Sequence, residues 1–73
     1  SITDEIMYMH RKRNTKGSKW SSIDERLFKY NILEEAMDEC FKSYKRLGGN
    51  HNIEDRYKSC KEVISETRVM AEV

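Results

Sequence analysis

The chain has no proline and only three glycines, Gly17, Gly48 and Gly49, so punctuation is scarce in its 73 residues. A fold of several strands needs turn residues between them, and only the surroundings of Gly17 and of Gly48-Gly49 offer any. Two cysteines are too few for a disulfide scaffold, and that sparing use suits a reducing, intracellular setting. No apolar run approaches the roughly 20 residues needed to cross a bilayer, which argues against a membrane role. The opening stretch, with Asp4 and Glu5, is not that of a signal peptide. A surplus of one charge sign is also missing, since the formal net charge is +1.

That small net charge conceals an uneven distribution. Arg11, Lys12, Arg13, Lys16 and Lys19 carry five positive charges with no acid among them, and the remainder holds nine basic and thirteen acidic groups, a balance of −4. Hydrophobic and charged residues each make up 37% of the chain, the balance of helices that carry one apolar stripe and a charged outer face. A chain this short buries only about 60% of the surface it exposes when unfolded, so a single domain spanning 1–73 has a thin core.

Three helices are expected, at about 4–13, 22–47 and 52–73, with a basic loop at 14–21. Thr3 reads as the first N-cap, with Ile2 placed to staple against Met7, while Asp4 and Glu5 at one end and Arg11 to Arg13 at the other complement the helix dipole. Asn14 to Trp20 gathers Asn, Thr, Gly and Ser, a loop composition. Ser22-Ile23-Asp24-Glu25 is a capping box that opens the second helix. Lys42, Lys45 and Arg46 precede Leu47 and Gly48 at its other end, where basic side chains and a left-handed glycine belong. Asn52 reads as the cap of the third helix, with Glu54 and Asp55 in its first turn.

Apolar positions then step by three and four: Tyr30, Leu33, Met37, Cys40, Tyr44 and Leu47 in one helix, Ile53, Tyr57, Cys60, Ile64, Thr67 and Ala71 in the next. Two such seams meeting across a turn at Gly48 to His51 form an antiparallel helical hairpin. In that register Leu47 opposes Ile53, Tyr44 opposes Tyr57, Cys40 opposes Cys60 and Met37 opposes Ile64. The fold class is therefore all-α, a short N-terminal helix plus a long hairpin. At 1.5 Å per residue the second helix is ~39 Å long, whereas a compact chain of this size is only about 29 Å across, so the molecule is elongated.

Two rods side by side leave apolar residues over. Phe28, Ile32, Ala36, Phe41, Val63, Val69, Met70 and Val73 lie beside or away from the seam, and a first helix of about 15 Å covers less than half the hairpin. The expectation is completion as a helical bundle by association, with another copy or a helical protein partner. Phe28, Ile32, Phe41, Val63 and Met70 are the candidate apolar contacts. Isolated exposed apolar side chains are common on monomers, which is the simpler alternative.

A second candidate is the basic segment His10 to Trp20. Arg11, Lys12, Arg13, Lys16 and Lys19 are spaced to neutralise phosphates, Trp20 could stack on an unpaired base, and the same cluster would suit nuclear import recognition. Against this stand the dipole role of Arg11 to Arg13 and the commoner use of a lone tryptophan as a core plug. Glu34, Glu35, Asp38 and Glu39 read as a solvated acidic patch on the outer face, with Asp38 and Lys42 as an ordinary i,i+4 pair and the patch as a rim for a basic partner. Cys40 and Cys60 read as reduced packing residues. His51 lies about 14 Å along the helix from either thiol, too far to share a metal with them. No nucleophile-base pair, phosphate-cradling loop or ligand repeat specifies a reaction, a cofactor, a metal or a small-molecule substrate. The expectation is a non-enzymatic interaction module, with a nucleic-acid-binding helical domain as the alternative.

Overall fold

The computed structural model describes residues 1–49 and 51–73, His51 by its backbone alone. It contains α1 (Ile2–Lys12), a short 3-10 helix (Lys19–Ser21), α2 (Ile23–Arg46) and α3 (His51–Ala71), with no strand among the described residues. The chain is all-α and elongated, with extents of 40 × 21 × 16 Å.

The helix ends follow local chemistry. Ser1, rather than Thr3, caps α1: its hydroxyl accepts from the Asp4 N–H and the Asp4 carboxylate answers the Ser1 backbone, a reciprocal box two residues earlier than the sequence suggests. Asp is one methylene shorter than the Glu or Gln usual in such boxes, which hides the motif. Ile2 and Met7, the expected staple pair, both pack partly buried against the core. Ser22 caps α2, its Oγ accepting from the Glu25 N–H at 3.2 Å. At the other end Gly48 takes φ 78°, the Gly48 N–H donates to the Lys45 carbonyl and the Gly49 N–H to the Tyr44 carbonyl, both bonds of a Schellman motif. The ring of Tyr44 lies against Gly49 where any side chain would have to sit, so this turn needs both glycines. Asn52 falls inside α3, one residue past its start, and the position before that helix, Asn50, lies outside the described residues.

The core consists of Ile6, Met9, Tyr30, Leu33, Met37, Cys60, Val63 and Ile64, drawn from all three α-helices. α1 lies along both rods of the hairpin. Its N-terminus is clamped to α3, where Arg56 Nη2 donates to Thr3 Oγ1 at 2.8 Å and Asp4 Oδ1 at 2.9 Å, and the Cys60 thiol points to the Thr3 carbonyl at 3.7 Å. Lys29 on α2 approaches Glu5 at 3.7 Å. α1 therefore runs antiparallel to α2 and parallel to α3, its C-terminus toward the end away from the turn. The half of the hairpin beside α1 is a three-helix bundle. The half nearer the turn is a helix pair.

The α2–α3 seam is as expected at Tyr30, Leu33, Met37, Cys60, Ile64 and Thr67, all buried. It opens toward the turn, where Cys40 is exposed, Tyr44, Ile53 and Tyr57 are half-buried and Leu47 is 85% exposed. Ala71, at the far end, is also exposed. Burial at the seam thus follows the length of α1.

Candidate interaction surface

The apolar lining of the turn half forms a groove of about 400 Å³, bounded by Met37, Cys40, Phe41, Tyr44, Ile53 and Tyr57, with Ser1, Ile2 and Thr3 closing the end where α1 begins. It exists because α1 spans 11 residues, ~16 Å, against ~36 Å for the 24 residues of α2. Phe41 and Tyr57 stack with centroids 3.9 Å apart and planes at 7°, forming a rigid wall across the helix pair. A second, shallower depression lined by Glu39, Cys40, Ser43, Tyr44 and Leu47 continues it over the outer edge of α2.

The other wall of the hairpin is ionic. Glu34 takes two bonds from Arg68, at 2.6 and 3.3 Å, and one from Lys61 at 3.2 Å. Asp38 accepts from the Tyr57 hydroxyl at 2.7 Å and from Lys61 at 3.0 Å. The hydrogen bonds from Arg68 hold the Glu34 carboxyl below its ordinary value despite partial burial, and those from Lys61 add to the effect. Burial pushes Asp38 up, but the bonds from Tyr57 and Lys61 outweigh it and leave it low. Burial and the same Asp38 contact raise the Tyr57 phenol. Lys61 is raised in turn by Asp38 and Glu34, against the pull of burial.

This arrangement corrects the reading of the acidic patch. Glu34 and Asp38 do not face solvent as a pair with Glu35 and Glu39; they brace α2 against α3. Lys42 gives its hydrogen bond to Glu39 at 3.4 Å and acts on Asp38 through its charge alone, because Asp38 is committed across the helix pair. Glu35 and Glu39 remain exposed.

The candidate apolar contacts do not share one environment. Phe28 (70% exposed), Ile32 (52%) and Met70 (51%) are on the surface. Phe41 is half-buried in the groove wall. Val63 is in the core, 7% exposed, because α1 covers the flank of α3 that an isolated hairpin would leave open, and it is not available to a partner. The two cysteines also part company. Cys60 is fully buried beside Thr3, and burial raises its thiol, while Cys40 is exposed at the groove; both are free thiols.

In the basic segment Arg11, Lys16 and Lys19 are exposed, and Lys12 and Arg13 half-buried. Arg13 folds back to the His10 carbonyl at 2.6 Å, Lys12 lies over the Tyr8 ring at 5.7 Å and Lys19 over the Trp20 ring at 4.5 Å. Trp20 packs half-buried on the core. Burial and the neighbouring Arg13 hold His10 below its usual value, so it adds no charge to the cluster at neutral pH. Arg26, a residue the sequence reading passed over, is 3% exposed and donates to the Trp20 carbonyl at 2.7 Å. Its Nε and the Tyr30 hydroxyl are both buried; burial raises the Tyr30 phenol, and the Arg26 guanidinium beside it holds part of that rise back. The signal was present, because Arg26 lies one four-residue step before Tyr30 on the seam.

Among the described residues no group of His, Cys, Asp and Glu could hold a metal ion, and no helix is long and apolar enough to cross a membrane. The metal argument made from His51 rests on a side chain outside the described residues. Comparison with known protein families, with curated proteins and with solved structures gives no match. Fold and surface therefore describe an all-α chain of three helices, bundled over one half of the hairpin and open over an apolar groove at the other.

Proposed function

We propose that this chain is a non-enzymatic protein–protein interaction module of an intracellular assembly, a dimerisation or docking domain whose groove beside the turn receives an apolar helical surface. The observation that carries this reading is the shortness of α1. It seals one half of the hairpin and leaves the other half open over a groove lined by Met37, Cys40, Phe41, Tyr44, Ile53 and Tyr57. Helix-in-groove recognition needs such a slot, with apolar depth and a polar rim, here Ser1, Thr3 and Arg56. The reduced thiol at its edge is consistent with work inside the cell.

A test reads the methionine methyl groups by NMR. An amphipathic helical peptide with apolar residues at i, i+4 and i+7, or a rising concentration of the chain itself, should move the Met37 methyl and leave Met9, on the buried face of α1, in place. A Met37 signal indifferent to both would remove the groove from consideration.

A second reading, polyanion binding by residues 10–20, is favoured by one observation. Arg11 and Lys16 are exposed, and neither meets a carboxylate among the described residues.

A further inference from the structure

We infer that the occupant of the open edge is a second copy of this chain, its α2 lying antiparallel to the first α2 about a twofold axis near Cys40. The inference deepens the proposed interaction module and rests on it. Beside the buried seam α2 carries a second stripe, Ile32, Ala36, Cys40, Ser43 and Leu47, all exposed and separated by steps of four, four, three and four. Such steps keep residues on one helix face. The stripe runs ~22 Å and joins the groove at Cys40 and the depression at Ser43 and Leu47.

Its composition is self-complementary when reversed. Turned about Cys40, Ile32 comes opposite Leu47 of the second copy, Ala36 opposite Ser43, and Cys40 opposite Cys40. The large side chains then sit at the two ends and the small ones at the centre, where two backbones approach closest.

Charge selects the same orientation. The flank of the stripe facing away from the groove reads Glu35, Glu39, Lys42, Arg46, acidic first and basic afterwards. Antiparallel packing sets this flank against itself, so Glu39 meets Lys42 of the other copy and Glu35 meets Arg46, each pair occurring twice. Parallel packing would bring the flank against the groove side instead and leave these charges unmatched. Of these four side chains only Glu39 and Lys42 form an ion pair among the described residues, at 3.4 Å, an exposed contact that is readily exchanged. Glu35 and Arg46 have no ion pair of their own among the described residues. An isologous pairing of this kind closes at two copies.

The test uses the whole chain. Two stripes of this length bury less than the ~1,200 Å² of ordinary stable interfaces, so sedimentation should be followed up to about 1 mM. A concentration-dependent dimer is expected. Mild oxidation should convert it to a covalent dimer through Cys40, abolished by Cys40→Ser. The variants E35K/E39K and K42E/R46E alter exposed positions only, and each should keep the wild-type helical spectrum. Alone, each should dimerise at least about tenfold more weakly than the wild type, and their equimolar mixture should recover a heterodimer. A strict monomer at the highest concentration, a dimer that does not cross-link at Cys40, or charge variants that self-associate as the wild type does would each overturn the inference. If the chain stays monomeric while the helical peptide still moves the Met37 methyl, the interaction module stands and the second copy is excluded.

Discussion

The seal that α1 places over the hairpin is measurable through Cys60. Its thiol is fully buried against Thr3, and burial raises its pKa, whereas Cys40 lies open to solvent. A thiol reagent should therefore label Cys40 quickly and Cys60 only when α1 lifts or the whole domain unfolds. Ile6→Ala removes a fully buried anchor of α1. Large-to-small changes of this kind cost about 2–5 kcal/mol, which is a large fraction of the roughly 4–11 kcal/mol that a domain of this size holds in total. Taking ~3 kcal/mol and 1.4 kcal/mol per tenfold, the open population, and with it the Cys60 labelling rate, should rise on the order of 100-fold. Cys40 should be unaffected. The assay is mass spectrometry of labelled peptides over time in native buffer, at reagent concentrations where labelling is slower than reclosing. Equal labelling of both thiols in the unaltered chain, or a Cys60 rate unmoved by Ile6→Ala, would refute the placement of α1.

Two further outcomes follow from the electrostatics. Glu34→Gln should cost at most ~1 kcal/mol at neutral pH, because its main partner, the Arg68 side chain, is 42% exposed and screened by water. The folded carboxyl is held low, so its contribution is complete above the ordinary value of 4.5 and is lost as pH falls through the lowered value; chemical denaturation at pH 7 and pH 3 should show the difference between the two chains shrinking. For the polyanion reading, Arg11→Glu with Lys16→Glu should leave the melting temperature within a few degrees and remove any salt-sensitive retention on an immobilised single strand. Retention that survives the double change would detach it from this segment.

Much of the architecture was legible in the sequence because its signals are local. Ser22 with Glu25 and Leu47 with Gly48 mark the ends of α2 through backbone hydrogen bonds that need no tertiary partner. The seam from Tyr30 to Met37, opposed by Cys60 to Thr67, follows from periodicity alone. What escaped depends on how a third element sits on the first two. Val63 looks exposed on an isolated hairpin and is buried only because α1 lies over it. Cys40 and Cys60 have matching places in the seam pattern, yet only Cys60 points inward, against the Thr3 carbonyl of α1, while Cys40 is turned to the exposed stripe of α2. Glu34 and Asp38 resemble their neighbours Glu35 and Glu39, and only the facing Lys61 and Arg68 distinguish them. Arg26 was missed for a related reason: its charge argued for solvent, while the Trp20 carbonyl, fixed by the 3-10 turn, supplies a partner inside.

That bond from Arg26 to the Trp20 carbonyl has a consequence for the segment between α1 and α2. With Ser18 capping the short helix, Arg13 folded onto its own helix end and Trp20 wedged into the protein, the connection is a stiff knuckle instead of a slack string. Two of its cations are thereby held in place, Arg13 on the His10 carbonyl and Lys19 over the Trp20 ring, so their separation is set by the fold.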